Sequence, residues 1–381
     1  MRMKCYKLLL PFLSISISLI ISEAVIRRIH VKEYTGLPWS ADKSRYQIDG
    51  KLIYVFRPNQ NSVWTTAEFT EKAHINNLGF RGSEEIQIEK PQNAYRVLMI
   101  GDSFTYGHGL SDTQTIPYTL ETILQNKAPS GLNIEVINMG VPGYSLDQEF
   151  RQMLLYIPRL GPDLVVWNIT PWNIAGYIVD TDDSYRPSLY DLTKQKELVE
   201  LNTVTNKTYL RNMIFLLTPK WIRNTYIFDF MISKFSASSI LTGIPKIEQD
   251  RLTEWAANKF ILEAGAISKM QDKYDFEFIM VLIPSRDYFR SEGQEEYDYI
   301  LKSIKNNFPT SNIQFVDLRD ALSGINHGLS AEVSFSDSGV LGETYQNYDN
   351  WFFPIDSHPN ATGASVFAET ISSVIHELIK L

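Results

Sequence analysis

A serine hydroxyl is a poor nucleophile until a base takes its proton. Residue 103 sits where such a step is feasible, in "GDSFTYGHG" (101–109), directly after the apolar run "YRVLMI". Ser103 therefore falls on a tight turn between a strand and a helix. The N–H groups at the start of a helix favour negative charge there. The partner this chemistry needs is a histidine, itself oriented by a carboxylate. Six histidines are available, and His358 has the most suitable setting. It lies in "PIDSHPNATG", a turn punctuated by Pro and Asn before the last helix, with Asp356 two residues earlier. His30 follows the apolar N-terminal stretch, His74 belongs to a strand-rich region, His327 to a loop and His376 to the final helix. His108 is so close to Ser103 along the chain that it is expected to point elsewhere.

Acyl transfer also needs donors aimed at the developing oxyanion. The Ser103 N–H is one. Gly140 in "NMGVPGYS" ends another strand and offers a second, because a residue without a Cβ lets backbone approach closely. Asn173 in "ITPWNI" adds a side-chain amide.

These residues need a frame that brings them together. From residue 95 onward, strand-like and helix-like stretches alternate. "YRVLMIG", "IEVINMG", "DLVVWNIT", "FEFIMVLIPS" and "IQFVDLR" read as strands. "DTQTIPYTLETILQ" places Ile116, Leu120, Ile123 and Leu124 on one helical face, and "LTEWAANKFILEAGAISKMQ" does the same with Phe260, Ala264, Ile267 and Met270. Ser145 opens the helix of 145–161, with Glu149 too late to complete a capping box. "EEYDYILKSIKNNF" and "GASVFAETISSVIHELI" are further helices. Such alternation implies a three-layer α/β/α sandwich with a mostly parallel, roughly five-stranded sheet. Ligands of such sheets bind at the carboxyl ends of the strands, where Ser103, Gly140 and the loop after Thr170 all fall.

The expected organisation is an N-terminal targeting segment over 1–29, a strand-rich appendage over 30–90 and a catalytic domain over 91–381. Residues 174–250 interrupt the alternation and are expected to form an insertion that shapes a cleft.

The ordered blocks "GDSF", the glycine of "NMG", the asparagine of "PWN" and the histidine of "DSHPN" resemble those of SGNH/GDSL-type serine hydrolases. Upstream "INNLGFRG" and "GHGLSDTQTIPYTLE" are similar to membrane-anchored bacterial members. The resemblance spans roughly residues 45–173 and 250–381 and extends to a flavodoxin-like sheet. It implies Ser103 as nucleophile, His358 as base and Asp356 as its orienter. Ser103 N–H, Gly140 N–H and Asn173 then form the oxyanion hole, and Asp102 bonds nearby backbone. Two features depart from the family pattern. Ile174 replaces the Asp that usually follows the third-block Asn, which leaves Asn168 as an alternative to Asn173. Only Ser357 separates Asp356 from His358, where the family has two residues, so Asp337 and Asp349 stay as other candidates for the orienter.

Composition narrows the function further. A net charge of −8 argues against a general nucleic-acid binder. A single cysteine, Cys5, excludes an intrachain disulfide and a cysteine-based zinc site. No zinc, nucleotide or flavin signature is visible, so no cofactor is expected. Asp180, Asp182 and Asp183 gather in an acidic turn that reads as solvated rather than as a calcium site. Trp167 is expected in the core, and Trp172 is a candidate groove residue. Arg2, Lys4 and Lys7 precede the apolar "LLLPFLSISISLII", the pattern of an export signal. Retention as a membrane anchor, with Arg27 and Arg28 at the interface, is one reading; cleavage near Ser22-Glu23-Ala24 is the other. Both place the bulk of the chain outside the cytoplasm. The expected activity is serine ester hydrolysis on an ester-bearing small molecule, lipid or acylated carbohydrate. The alternatives are an O-acyltransferase acting on a surface polysaccharide and a catalytically silent membrane-anchored binding protein.

Overall fold

"AYRVLMI" (94–100) is apolar at nearly every position, as suits a strand covered on both faces. In the computed structural model it is β5 (Ala94–Ile100), and six of its seven residues are buried. The structure describes residues 3–29, 45–170, 190–193, 197–200, 218–223, 225–234, 246–286, 314–323 and 345–379. Ahead of β5 come β1 (Tyr46–Asp49), β2 (Ile53–Phe56), β3 (Gln60–Thr65) and β4 (Thr70–Ile75). After it come β6 (Asn133–Asn138), β7 (Leu164–Ile169), β8 (Tyr190–Leu192), β9 (Leu198–Glu200), β10 (Glu277–Leu282) and β11 (Gln314–Asp317). The helices used below are α1 (Met3–Ile29), α2 (Ser103–Tyr106), α3 (Ile116–Lys127), α4 (Leu146–Leu160), α5 (Lys220–Arg223), α6 (Tyr226–Lys234), α7 (Lys246–Tyr274), α8 (Leu318–Ser323) and α9 (Ala361–Ile379).

Five strands form one parallel sheet in the order β6-β5-β7-β10-β11. The chain leaves β5 on one side for β6 and returns on the other for β7. The carboxyl ends of β5 and β7 thus flank the point where strand order reverses, which is where such sheets bind ligands. Side-chain alternation divides the core into two layers. Leu98, Ile100, Val165, Trp167, Met280 and Leu282 face α4 and α7. Val97, Met99, Leu164, Val166, Ile279 and Val281 face α3, α8 and α9. Trp167 is fully buried, and its indole N–H donates to Glu149 at 2.8 Å. The capping box of α4 does form, but with Gln148 as the partner of Ser145. Gln148 is three residues on, so its amide reaches back to the Ser145 N–H, whereas the longer spacing of Glu149 does not.

The N-terminal hairpins β1–β2 and β3–β4 share the core of the α4/α7 layer through Tyr46, Tyr54, Phe56 and Ile75. Tyr54 hydroxyl donates to the Pro142 carbonyl at 2.9 Å, and Tyr144 hydroxyl to the Tyr54 carbonyl at 2.6 Å. An Arg81–Asn138 bridge ties this region to the end of β6.

At the opposite end of the molecule's sequence logic, Glu23 of α1 accepts the N–H groups of Tyr226 and Ile227, both at 2.9 Å, at the start of α6. Among the described residues no helix is long and apolar enough to cross a membrane, so the expected spanning anchor over 1–29 finds no support there. Most of the 174–250 stretch lies outside the described residues. So do the helix expected in "EEYDYILKSIKNNF", the acidic turn at 180–183, Trp172, Asn173, His30, His327 and Asp337.

Candidate active site

Ser103 is the first residue of α2, held at the exit of β5 by its neighbour. Asp102 is the N-cap: its carboxylate accepts the Phe104 N–H at 2.9 Å and the Thr170 hydroxyl at 3.4 Å. Asp102 thus fixes the turn, as the resemblance implied.

His358 arrives from the other end of the chain on a closed loop. The Phe353 N–H donates to the His358 carbonyl at 2.9 Å, and the Asn360 N–H to the Trp351 carbonyl at 2.8 Å. Asn360, first residue of an "NAT" triplet, is the cap of α9 and accepts the N–H groups of Thr362 and Gly363. The single residue between Asp356 and His358 is accommodated by backbone conformation. Ser357 takes φ 68°, in the left-handed region, and the chain turns so that both neighbours face inward. His358 Nε2 lies 2.8 Å from Ser103 Oγ, and Nδ1 lies 2.6 Å from Asp356 Oδ1. A carboxylate can only accept, so the ring proton sits on Nδ1 and Nε2 accepts from the serine hydroxyl. Burial opposes ionisation of Asp356, and the imidazoles of His108 and His358 beside it outweigh that, holding its carboxyl well below the usual range. The other described candidate, Asp349, lies exposed on a short 3₁₀ segment.

His108 does not point elsewhere. Its ring centroid lies 4.5 Å from that of His358, and its Nε2 is 3.5 Å from Asp356 Oδ2. Gly107 (φ 86°) and Gly109 (φ 81°) bracket it, and this pair of left-handed residues turns the chain back toward Ser103. The glycines of "GHG" were the available signal. The ring is buried between Trp64 and Phe69, with centroids at 4.8 Å and 5.2 Å.

The β3–β4 hairpin supplies site residues that sequence reasoning did not find. Glu68, in the turn, accepts the N–H groups of Ile355 and Asp356 at 2.7 Å and 2.8 Å. Glu71 is fully buried; it accepts the Tyr106 hydroxyl at 2.7 Å, the Gly109 N–H at 3.0 Å and Arg45 at 2.7 Å. Burial works against its charge, and Arg45, Arg81 and these donors overcome that, lowering its pKa. The alternation of β4 carried the signal for Glu71: it shares the inward face with Ala73 and Ile75. Arg81, from "INNLGFRG", donates to the carbonyls of Tyr106, Gly107 and Leu110 at 2.9, 2.7 and 2.6 Å. It therefore satisfies the carbonyl end of α2, which no intrahelical donor reaches.

The expected oxyanion donors are placed unevenly. The Ser103 N–H is at the first helical position. Gly140 packs against α2 so closely that a Cβ there would lie 2.2 Å from the Tyr106 nitrogen. Its N–H donates to Asn138 Oδ1 at 3.1 Å. Asn168 points its amide at the Thr105 hydroxyl, 3.1 Å away, which commits it to bracing α2. Asn173 lies outside the described residues. Among those residues, His108, Asp356 and His358 form a group whose ligand atoms all lie within 4.8 Å, a donor set that a transition metal would accept.

The five-stranded parallel sheet makes this an α/β protein, and a hydroxyl–imidazole–carboxylate line at the carboxyl edge of that sheet is the equipment of an enzyme that hydrolyses esters. The chain belongs to the GDSL-like lipase/acylhydrolase family, whose profile matches residues 97–371. No curated protein matches it in sequence. Solved structures similar to it include the lipase/acylhydrolase from Enterococcus faecalis, at 13% identity and TM-score 0.36, covering 74% of this chain and 96% of that one. The psychrotrophic esterase EstA from Pseudoalteromonas sp., inhibited by monoethylphosphonate, is 11% identical with TM-score 0.36, covering 75% and 100%. A two-domain esterase active on acetylated mannans is 11% identical with TM-score 0.36, covering 77% of this chain and 51% of that one.

Proposed function

We propose that this hydrolase cleaves esters through an acyl-enzyme on Ser103. The observation that carries the reading is the 2.8 Å approach of His358 Nε2 to Ser103 Oγ, with Asp356 at 2.6 Å behind the ring. Oγ attacks the acyl carbon while its proton passes to Nε2. The tetrahedral oxyanion is held by the Ser103 N–H, the Gly140 N–H and the Asn173 amide, with Gly140 sharing its donor between Asn138 and the oxyanion. The bond to the alcohol then breaks, and Nε2–H protonates the departing oxygen. Water attacks the acyl-enzyme, gives a proton to Nε2, and the carboxylic acid leaves as Oγ recovers its hydrogen. Asp356 stabilises the imidazolium at each stage.

The substrate in this reading is an acyl or acetyl ester on a small molecule, lipid or carbohydrate. The site of action is outside the cytoplasm, with the N-terminal segment holding the protein to a membrane. The basic residues ahead of the apolar run support this.

A fluorophosphonate probe tests the nucleophile. It should label the wild type and spare Ser103→Ala, which should also lose p-nitrophenyl acetate hydrolysis by about 10³-fold or more. Asp356→Asn should fold and lose about 10²- to 10⁴-fold in kcat. Labelling of Ser103→Ala at the wild-type rate would end this reading. Protease accessibility in spheroplasts tests the location.

A further inference from the structure

We propose that His108 is a second, positioning histidine of this hydrolase, acting on the reaction through Asp356; the inference rests on the proposed roles of Ser103 and His358. Asp356 has two carboxylate oxygens. Oδ1 meets His358 Nδ1 at 2.6 Å, and Oδ2 faces His108 Nε2 at 3.5 Å. Asp356 needs that second hold for a local reason. It sits two residues from the base on a loop whose turn depends on the left-handed Ser357, and its side chain is 28% exposed. Its backbone is pinned by Glu68, which leaves the carboxylate free to rotate about its own axis unless Oδ2 is also engaged. A rotated carboxylate would release Nδ1, and Nε2 would no longer be directed at Ser103.

His108 is built to give that hold. It is 7% exposed and wedged against Trp64 and Phe69. Its other nitrogen, Nδ1, faces Glu71 Oε2 at 3.8 Å. Glu71 is itself anchored by Arg45, Tyr106 and the Gly109 N–H. The line Glu71–His108–Asp356–His358–Ser103 therefore begins in the N-terminal hairpin and ends at the nucleophile. The charged and titratable groups around His108 are Glu71 on β4 and Asp356 and His358 on the loop before α9. Arg45 and Tyr106 stand behind Glu71. The 4.5 Å contact between the two imidazole rings adds a steric limit on how far His358 can swing.

His108→Gln and His108→Phe separate a positioning donor from simple packing. Glutamine keeps an N–H near the place of Nε2; phenylalanine keeps the ring and loses the donor. Each full-length variant is assayed for kcat and KM on p-nitrophenyl acetate, for the rate of fluorophosphonate labelling and for thermal melting. The expected result is a kcat about tenfold lower in His108→Phe with KM unchanged, and His108→Gln within about threefold of wild type. In an Asp356→Asn background the same Phe substitution should change kcat less than twofold, because the group it acts through is already disabled. Wild-type activity in His108→Phe, or equal losses in Phe and Gln, would overturn the proposal while leaving the Ser103 reading intact. An undiminished loss in the Asp356→Asn background would overturn it as well, and that comparison serves if His108→Gln fails to fold. A wild type that the probe does not label would remove the underlying reading and this one with it.

Discussion

The carboxylate of Glu68 accepts the backbone N–H of Asp356 at 2.8 Å, across 288 positions of chain. The same carboxylate takes the Ile355 N–H at 2.7 Å. A turn between two N-terminal strands thus sets the position of the loop that carries the base.

Removing that carboxylate should impair turnover more than folding. Both N–H groups lie near solvent, and water can replace the lost acceptor, so Glu68→Ala should cost about 1 kcal/mol of stability or less. The loop, however, loses its register relative to Ser103. We expect kcat to fall about tenfold, equivalent to ~1.4 kcal/mol, with KM little changed. Steady-state kinetics with urea melts checks both; an unchanged kcat would show that the loop holds itself.

Arg81 should be essential to stability and not replaceable by lysine. Its guanidinium serves Asp112 as well as the carbonyls of Tyr106, Gly107 and Leu110. A lysine ammonium cannot span that fan of acceptors. Arg81→Lys should cost about 2 kcal/mol and Arg81→Ala about 2–4 kcal/mol, since the carbonyls left behind are buried. The shift in urea midpoint measures this directly.

Gly140→Ala should disturb the nucleophile turn itself. The added Cβ would stand 2.2 Å from the Tyr106 nitrogen and 2.7 Å from the Thr105 carbonyl carbon. Backbone, unlike a flexible side chain, cannot yield cheaply, so α2 must move. A loss of about 1–3 kcal/mol is expected, together with a large drop in probe labelling at Ser103. Labelling at the wild-type rate would mean that α2 tolerates the displacement.

Glu121 should make the fold less stable as pH rises. Burial, together with Glu84 and Glu135 nearby, pushes its carboxyl up to about 7, against the opposing Val136 N–H. Its folded pKa lies above its unfolded one, so between roughly pH 4.5 and 7 the folded state binds more protons. Stability from this group is therefore full below the unfolded value and is lost as pH climbs through the folded one. Glu121→Gln keeps an acceptor for Val136 and removes the charge. It should raise the unfolding free energy at pH 8 by on the order of 2 kcal/mol relative to wild type, seen as a higher melting temperature, and change it little at pH 4.5. Melting curves at the two pH values decide the sign.

The four long strands β5, β6, β7 and β10 were readable because burial on both faces demands apolar runs with little interruption. Ser103 and His358 were readable because the loops that carry them are punctuated by residues that end regular structure. His108 was not, because sequence proximity to Ser103 says nothing about direction; the left-handed glycines on either side of it turn the chain back. Glu68 was not readable either, since an acidic residue in a hairpin turn looks solvated until its partner loop is known. Asn173 and most of the 174–250 stretch lie outside the described residues.

Local rules operate over a few residues: periodicity, turn chemistry and caps. They sufficed to define the five strands of the parallel sheet, the α/β/α layering and the order of the blocks bearing a hydroxyl, an imidazole and a carboxylate. Which groups meet depends on how the layers close, and that is decided by burial and shape across hundreds of positions. So only the tertiary structure could bring Glu71 and His108 behind Asp356, and give the N-terminal hairpin a part in holding the site.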